Sequence, residues 1–206
     1  MSNTKENILE QSLKLFNERG LSNVSLRTVA DELNISVGNL QYHFKKREHI
    51  IEALYFQLVK KIDTSIVKSS TLGGMLQSFF NITQSTLLSF FEYRFFLLDF
   101  TLIIRQHEKI RAHYKELIKV REQQFFNSLT LLIENGFLRE EILPSEYKNL
   151  FIRLQILSDF WASSASIHSE KISKNMVLEY SQVINQSIFP YLTEKGRIQY
   201  LKKIES

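Results

Sequence analysis

Two prolines and six glycines in 206 residues are too few breakers for the many turns of a β-rich chain, and this scarcity constrains the fold most. Leu, Ile, Phe, Lys, Glu and Gln recur in long uninterrupted stretches that favour helix, so an all-α protein is expected. The length suits one well-packed domain, or a small domain fused to a larger one. There is no cysteine, which excludes disulfides and thiolate zinc sites and is compatible with a reducing cytoplasm. The start at Met1 runs directly into a charged segment without the features of a signal peptide, so export is not expected. The most apolar stretch, 79–104, is interrupted by Asn81, Gln84, Glu92, Arg94 and Asp99, and reads as buried helices rather than a membrane span. A formal charge of +4 decides nothing by itself.

Along the chain, Ile8, Leu9, Leu13 and Phe16 recur at helical spacing over 4–19, and Gly20 supplies a stop. Ser25 can cap a short second helix carrying Leu26, Val29, Ala30 and Leu33. Asn34 follows, a residue that enters left-handed conformations at modest cost, and Ser36 can cap a third helix that turns Leu40 and Phe44 inward. A connecting helix is expected over 48–61 and an interruption at Thr71, Gly73 and Gly74. Long helices are then expected over 107–135, from Pro144 and Ser145 onward, and over 174–191.

Two short helices joined by a tight turn within 25–44 have helix-turn-helix geometry, in which the second helix enters the major groove. Ala30 suits the close crossing. No carboxylate occurs from Asn34 through Arg47, and the stretch closes on Lys45, Lys46 and Arg47, as a phosphate-facing edge should. Asn39 and Gln41 carry amides able to pair bidentately with adenine, and Tyr42 and His43 can donate to phosphate oxygens.

These residues, with Leu26-Arg27-Thr28-Val29-Ala30 and Gly38-Asn39-Leu40-Gln41-Tyr42-His43-Phe44, resemble the DNA-binding domain of TetR-family regulators. That pattern usually reads Gly-x-Leu-Tyr-x-His-Phe followed by Lys-Glu, so Gln41 and Arg47 depart from it. The resemblance implies that Thr28 contacts phosphate, that Val37, Gly38, Asn39 and Gln41 face bases, and that Tyr42, His43 and Arg47 grip the backbone. It further implies a cytoplasmic homodimer on near-palindromic double-stranded operator DNA, controlled by a small ligand; the expected output is ligand-released repression, without enzymatic activity. The expected division is a helix-turn-helix domain at 1–47 and a helical ligand-binding and dimerisation bundle at 48–206.

Beyond residue 75 the chain has its own physical reading. Its many large rings suit a cavity for an apolar or aromatic effector, with Phe96, Phe100, Phe126 and Trp161 as candidate lining residues. Ala162, Ser163, Ser164, Ala165 and Ser187 suggest close packing of a partner's helices, hence a four-helix dimer interface. Arg94, Arg105, His107, Arg111 and His113 read as a solvated face. The five histidines show no metal-ligand spacing, the serines no nucleophile elbow, and no phosphate-binding glycine loop is present. Neither metal, cofactor nor catalytic residue is therefore expected. The alternative reading is a helical carrier or enzyme that uses the aromatic cavity.

Overall fold

Helix α1 (Thr4–Arg19) buries Ile8, Leu9, Leu15 and Phe16, and ends where Gly20 takes a φ of 78° that a side chain would strain. After a 3-10 turn at Leu21–Asn23, helix α2 (Leu26–Glu32) opens on a reciprocal capping box. The Thr28 amide donates to Ser25 Oγ at 3.1 Å and the Ser25 amide to Thr28 Oγ1 at 3.3 Å. Asn34 makes the turn at φ 53°, and the Ile35 amide reaches back to the Ala30 carbonyl at 3.0 Å. Ser36 Oγ then accepts from the Asn39 amide at 3.1 Å to start α3 (Val37–His43). Each such cap contributes about 1 kcal/mol. The computed structural model describes residues 4–70 and 74–204, so Thr71 and Gly73 lie outside the described residues.

Helix α4 (Arg47–Ser70) extends beyond the expected 48–61, and Gly74 serves as N-cap of α5 (Met75–Glu92). Serine pairs bring α4 and α5 close together, with Ser69 Oγ donating to Ser85 Oγ at 3.0 Å. Two short helices, α6 (Arg94–Leu98) and α7 (Phe100–Gln106), carry the aromatic run before the long α8 (Glu108–Glu134), which ends ahead of Gly136 at φ 70°. Helix α9 (Glu146–His168) follows Ser145, which is left-handed at φ 59°.

The expected helix over 174–191 is shorter. α10 (Lys174–Gln186) ends early, and a 3-10 turn at Phe189–Tyr191 contains Pro190, which has no N–H for an α-helical bond. A further helix, α11 (Glu194–Ile204), lies beyond the expected elements, its sequence being mostly charged and polar. It is fastened to the loop after α8: the Arg139 amide donates to the Tyr191 carbonyl and the Thr193 amide to the Phe137 carbonyl, both at 3.0 Å. Gly196 is buried at this junction, where a Cβ would stand 2.3 Å from the Phe137 carbonyl oxygen. Gly196→Ala is therefore expected to cost about 1–3 kcal/mol and lower the unfolding midpoint by several degrees. An unchanged midpoint in thermal unfolding would remove that role.

One buried cluster runs without interruption from Ile8 and Leu40 through Leu54 and Phe96 to Trp161 and Ile184. A second gathers Leu76, Phe80, Leu132, Leu150, Leu192 and Tyr200 at the other end.

Candidate DNA-binding surface and ligand cavity

On α3, Leu40 and Phe44 are buried against the core while Gly38, Asn39, Gln41 and Tyr42 are exposed, Tyr42 to 85%. Val37 and His43 are half-buried, and the His43 ring meets Tyr42 edge-on at 5.2 Å. Thr28 is half-buried with its hydroxyl in the capping box, 2.9 Å from Ser25 Oγ. Lys45 and Lys46 are exposed beyond the helix. Two nearby carboxylates lie against local cations: Glu32 pairs with Arg19, and Asp31 lies 3.9 Å from Arg27. The outward face of α3 thus combines amides and hydroxyls with positive surroundings, the chemistry needed to meet phosphates and base edges.

Arg47 is placed differently from the resemblance's assignment. Its Nη1 donates to the carbonyls of Leu21 and Val24 at 3.0 and 3.1 Å, and the side chain is half-buried. It ties the start of α4 to the segment joining α1 and α2, a structural use that spacing along the sequence does not reveal.

Further along α4, Leu58, Val59 and Ile62 form part of a half-open cavity of about 490 Å³, walled also by α5, α6, α8, α9 and α10. Of the four expected lining residues, Phe96 faces the cavity, with the Tyr55 ring 5.3 Å away. The other three do not. Phe100 stands behind the wall, in edge-on contact with Phe96, Tyr114 and Phe160. Phe126 packs against the second cluster, and its neighbour Phe125 lines the cavity instead, since adjacent helical residues point about 100° apart. Trp161 is 2% exposed and packs on Tyr180 at 5.6 Å.

The polar part of the wall went unrecognised in the sequence. Tyr114 donates to Asp159 Oδ2 at 2.6 Å, and burial pushes the Asp159 carboxyl up to about 6 against the hydrogen bonds from Tyr114 and Gln155. Burial, reinforced by Asp159, raises the Tyr114 hydroxyl. Arg121 also lines the cavity, paired with Asp63 and donating to Gln124 at 2.9 Å. A signal for Asp159 existed: it is the lone carboxylate in the apolar stretch 156–162. The basic set at Arg94, Arg105, His107, Arg111 and His113 stays outside the cavity wall, with His113 sharing a 2.8 Å hydrogen bond with Tyr55 and His107 buried.

Residues 8–54 match the model of bacterial regulatory proteins of the tetR family, and 57–200 match the TetR model described as a bacterial transcriptional repressor. The chain belongs to the TetR family. Over 165 residues it is 29% identical to the probable HTH-type transcriptional regulator YttP of Bacillus subtilis (strain 168), spanning 75% of this chain and 74% of that one. Its fold matches a TetR-family transcriptional regulator of Marinobacter aquaeolei VT8 with a TM-score of 0.84 at 23% identity, over 99% of this chain and 98% of that one. A regulator from Saccharomonospora viridis, solved in complex with choline, matches with a TM-score of 0.74 at 20% identity, over 94% and 100% of the two chains. Membership makes this TetR-family protein a DNA-binding transcriptional regulator of repressor type, in a family of regulators rather than enzymes. Among the described residues no helix is long and apolar enough to cross a membrane.

Proposed function

We propose that this protein is a homodimeric cytoplasmic repressor that holds near-palindromic operator DNA through α3 and is released by a small, largely apolar effector in the cavity. One observation carries the reading: α4 starts beside α3 and supplies the cavity wall, so a single rigid element touches both places. The working division is a DNA-binding part at 1–47 and a sensing and dimerising part at 48–206, with α4 as the lever between them. A second link supports this. Phe96 faces the cavity, whereas the adjoining Phe95 packs on Phe16 of α1 at 5.2 Å and donates its amide to Asn17 Oδ1 at 3.0 Å. A ligand that moves α4 or α6 shifts α1 and the helix pair riding on it. Because the two recognition helices must enter major grooves about 34 Å apart, a displacement of a few ångströms loses a half-site.

The base readers in this account are Val37, Gly38, Asn39 and Gln41, and the phosphate contacts are Thr28, Tyr42 and His43. Gel shift on promoter fragments across a salt series tests operator binding, which should weaken steeply as salt rises. No retardation at low salt would favour the carrier alternative. Asn39→Ala and Gln41→Ala are each expected to cost about 1–3 kcal/mol at one operator position and little elsewhere. Equal losses on every operator variant would contradict their role in base reading.

The partner surface assigned here is the outward face of α9 and α10. Ile152, Ile156, Phe160 and Ile167 are exposed on α9 within an arc of roughly 80°, and Leu178 and Val183 are exposed on α10. Of the small residues expected to admit a partner, Ser164 is exposed on α9, whereas three others pack within the chain. Ala162 and Ala165 are fully buried, and Ser163 Oγ donates to the Leu97 carbonyl at 3.4 Å.

A further inference from the structure

The cavity's charges do not cancel. Asp159, 8% exposed, lines it with two hydrogen-bond partners that are both neutral, Tyr114 and Gln155. A buried carboxylate in apolar surroundings is costly to keep ionised unless a cation completes it, and none of the described residues brings one to Asp159. Among the described residues the lining includes one cation, Arg121, and it is already committed to Asp63, outside the wall. An anionic head would have to compete with Asp63 for Arg121, whereas a cationic head meets an unopposed carboxylate. Tyr55, Phe96 and Tyr114 line the same space, and their ring faces attract positive charge. Leu58, Ile62, Phe79 and Leu87 supply apolar wall for the rest of the molecule.

We propose that the effector is a lipophilic cation: an amine or quaternary ammonium head seated against Asp159 beside the Tyr114, Tyr55 and Phe96 rings, with an apolar body filling the remaining cavity. This rests on the reading of the cavity as the effector site. Burial raises the carboxyl to about 6, and a bound cation would favour its ionised form.

Calorimetric titration of the full chain with decyltrimethylammonium, decan-1-ol and decanoate, below their micellar concentrations, changes head charge alone. The cation is expected to bind about tenfold or more tighter than the alcohol, with decanoate weakest. Asp159→Asn is expected to bring the cation to within about twofold of the alcohol while leaving the alcohol's affinity in place. Tyr114→Phe, which keeps the carboxylate, is expected to retain the preference. Equal affinities of the three probes for the wild type would overturn the cationic effector and leave the cavity as a site for neutral ligands. A preference that survives Asp159→Asn, or that disappears in Tyr114→Phe, would overturn the assignment to Asp159. Binding of none of the three would overturn the effector cavity itself, and the cation with it. The wild-type comparison needs no variant to fold.

Discussion

Ile156→Glu is expected to convert the protein to a monomer at micromolar concentration and to lower operator affinity by two orders of magnitude or more. Ile156 is 54% exposed in the single chain, so glutamate there does little to the fold of one subunit. Across a two-fold interface the residue occurs twice, and each copy would bury an unpaired carboxylate where an apolar contact stood. At about 2–3 kcal/mol for each copy, the dimer weakens by three to four orders of magnitude. Operator binding falls with it, because a lone half-site holds only half of the phosphate and base contacts. Light scattering coupled to size exclusion reads the first effect and gel shift the second. A variant that remains dimeric with wild-type affinity would displace the interface from this face of α9.

Arg47→Ala is expected to lower the unfolding midpoint by about 5–10 °C and to weaken operator binding on all sequences alike. Charged hydrogen bonds to two backbone carbonyls, those of Leu21 and Val24, are lost together, for about 2–3 kcal/mol in all. The consequence for DNA is indirect, since the bonds hold α4 to the segment that leads into α2 and orient the helix pair. The salt series separates this from a phosphate contact. A direct contact would reduce the slope of log affinity against log salt by about 1, whereas a positioning role leaves the slope as it is. A stable variant with a reduced slope would return Arg47 to the DNA backbone.

The two variants probe parts of the protein that were unequally legible. In the helix-turn-helix, the caps and the turn lie within a few residues of their effect: Ser25 caps the amide three residues on, Asn34 makes its own turn, and Ser36 starts α3. Local chemistry of that kind is written in residue order, so helix identity, the turn and the outward set on α3 could be read before any fold was known. The cavity was legible only as an excess of aromatic rings. A large ring is equally suited to core and to cavity, and a turn of about 100° separates Phe125 in the wall from Phe126 in the packing.

By itself the sequence determined an all-α chain, the capped helix pair with its left-handed Asn34, and a recognition helix anchored by Leu40 and Phe44. The tertiary structure alone decided that Arg47 braces Leu21 and Val24, that Asp159 meets Tyr114 inside an apolar cavity, and that Ala162 and Ala165 point inward while Ile152, Ile156 and Ile167 point out. The physical reason is distance along the chain. A cap or a turn is completed by near neighbours, but the face a helix buries is chosen by surfaces dozens of residues away, and amphipathic pattern cannot say which apolar face those surfaces will cover.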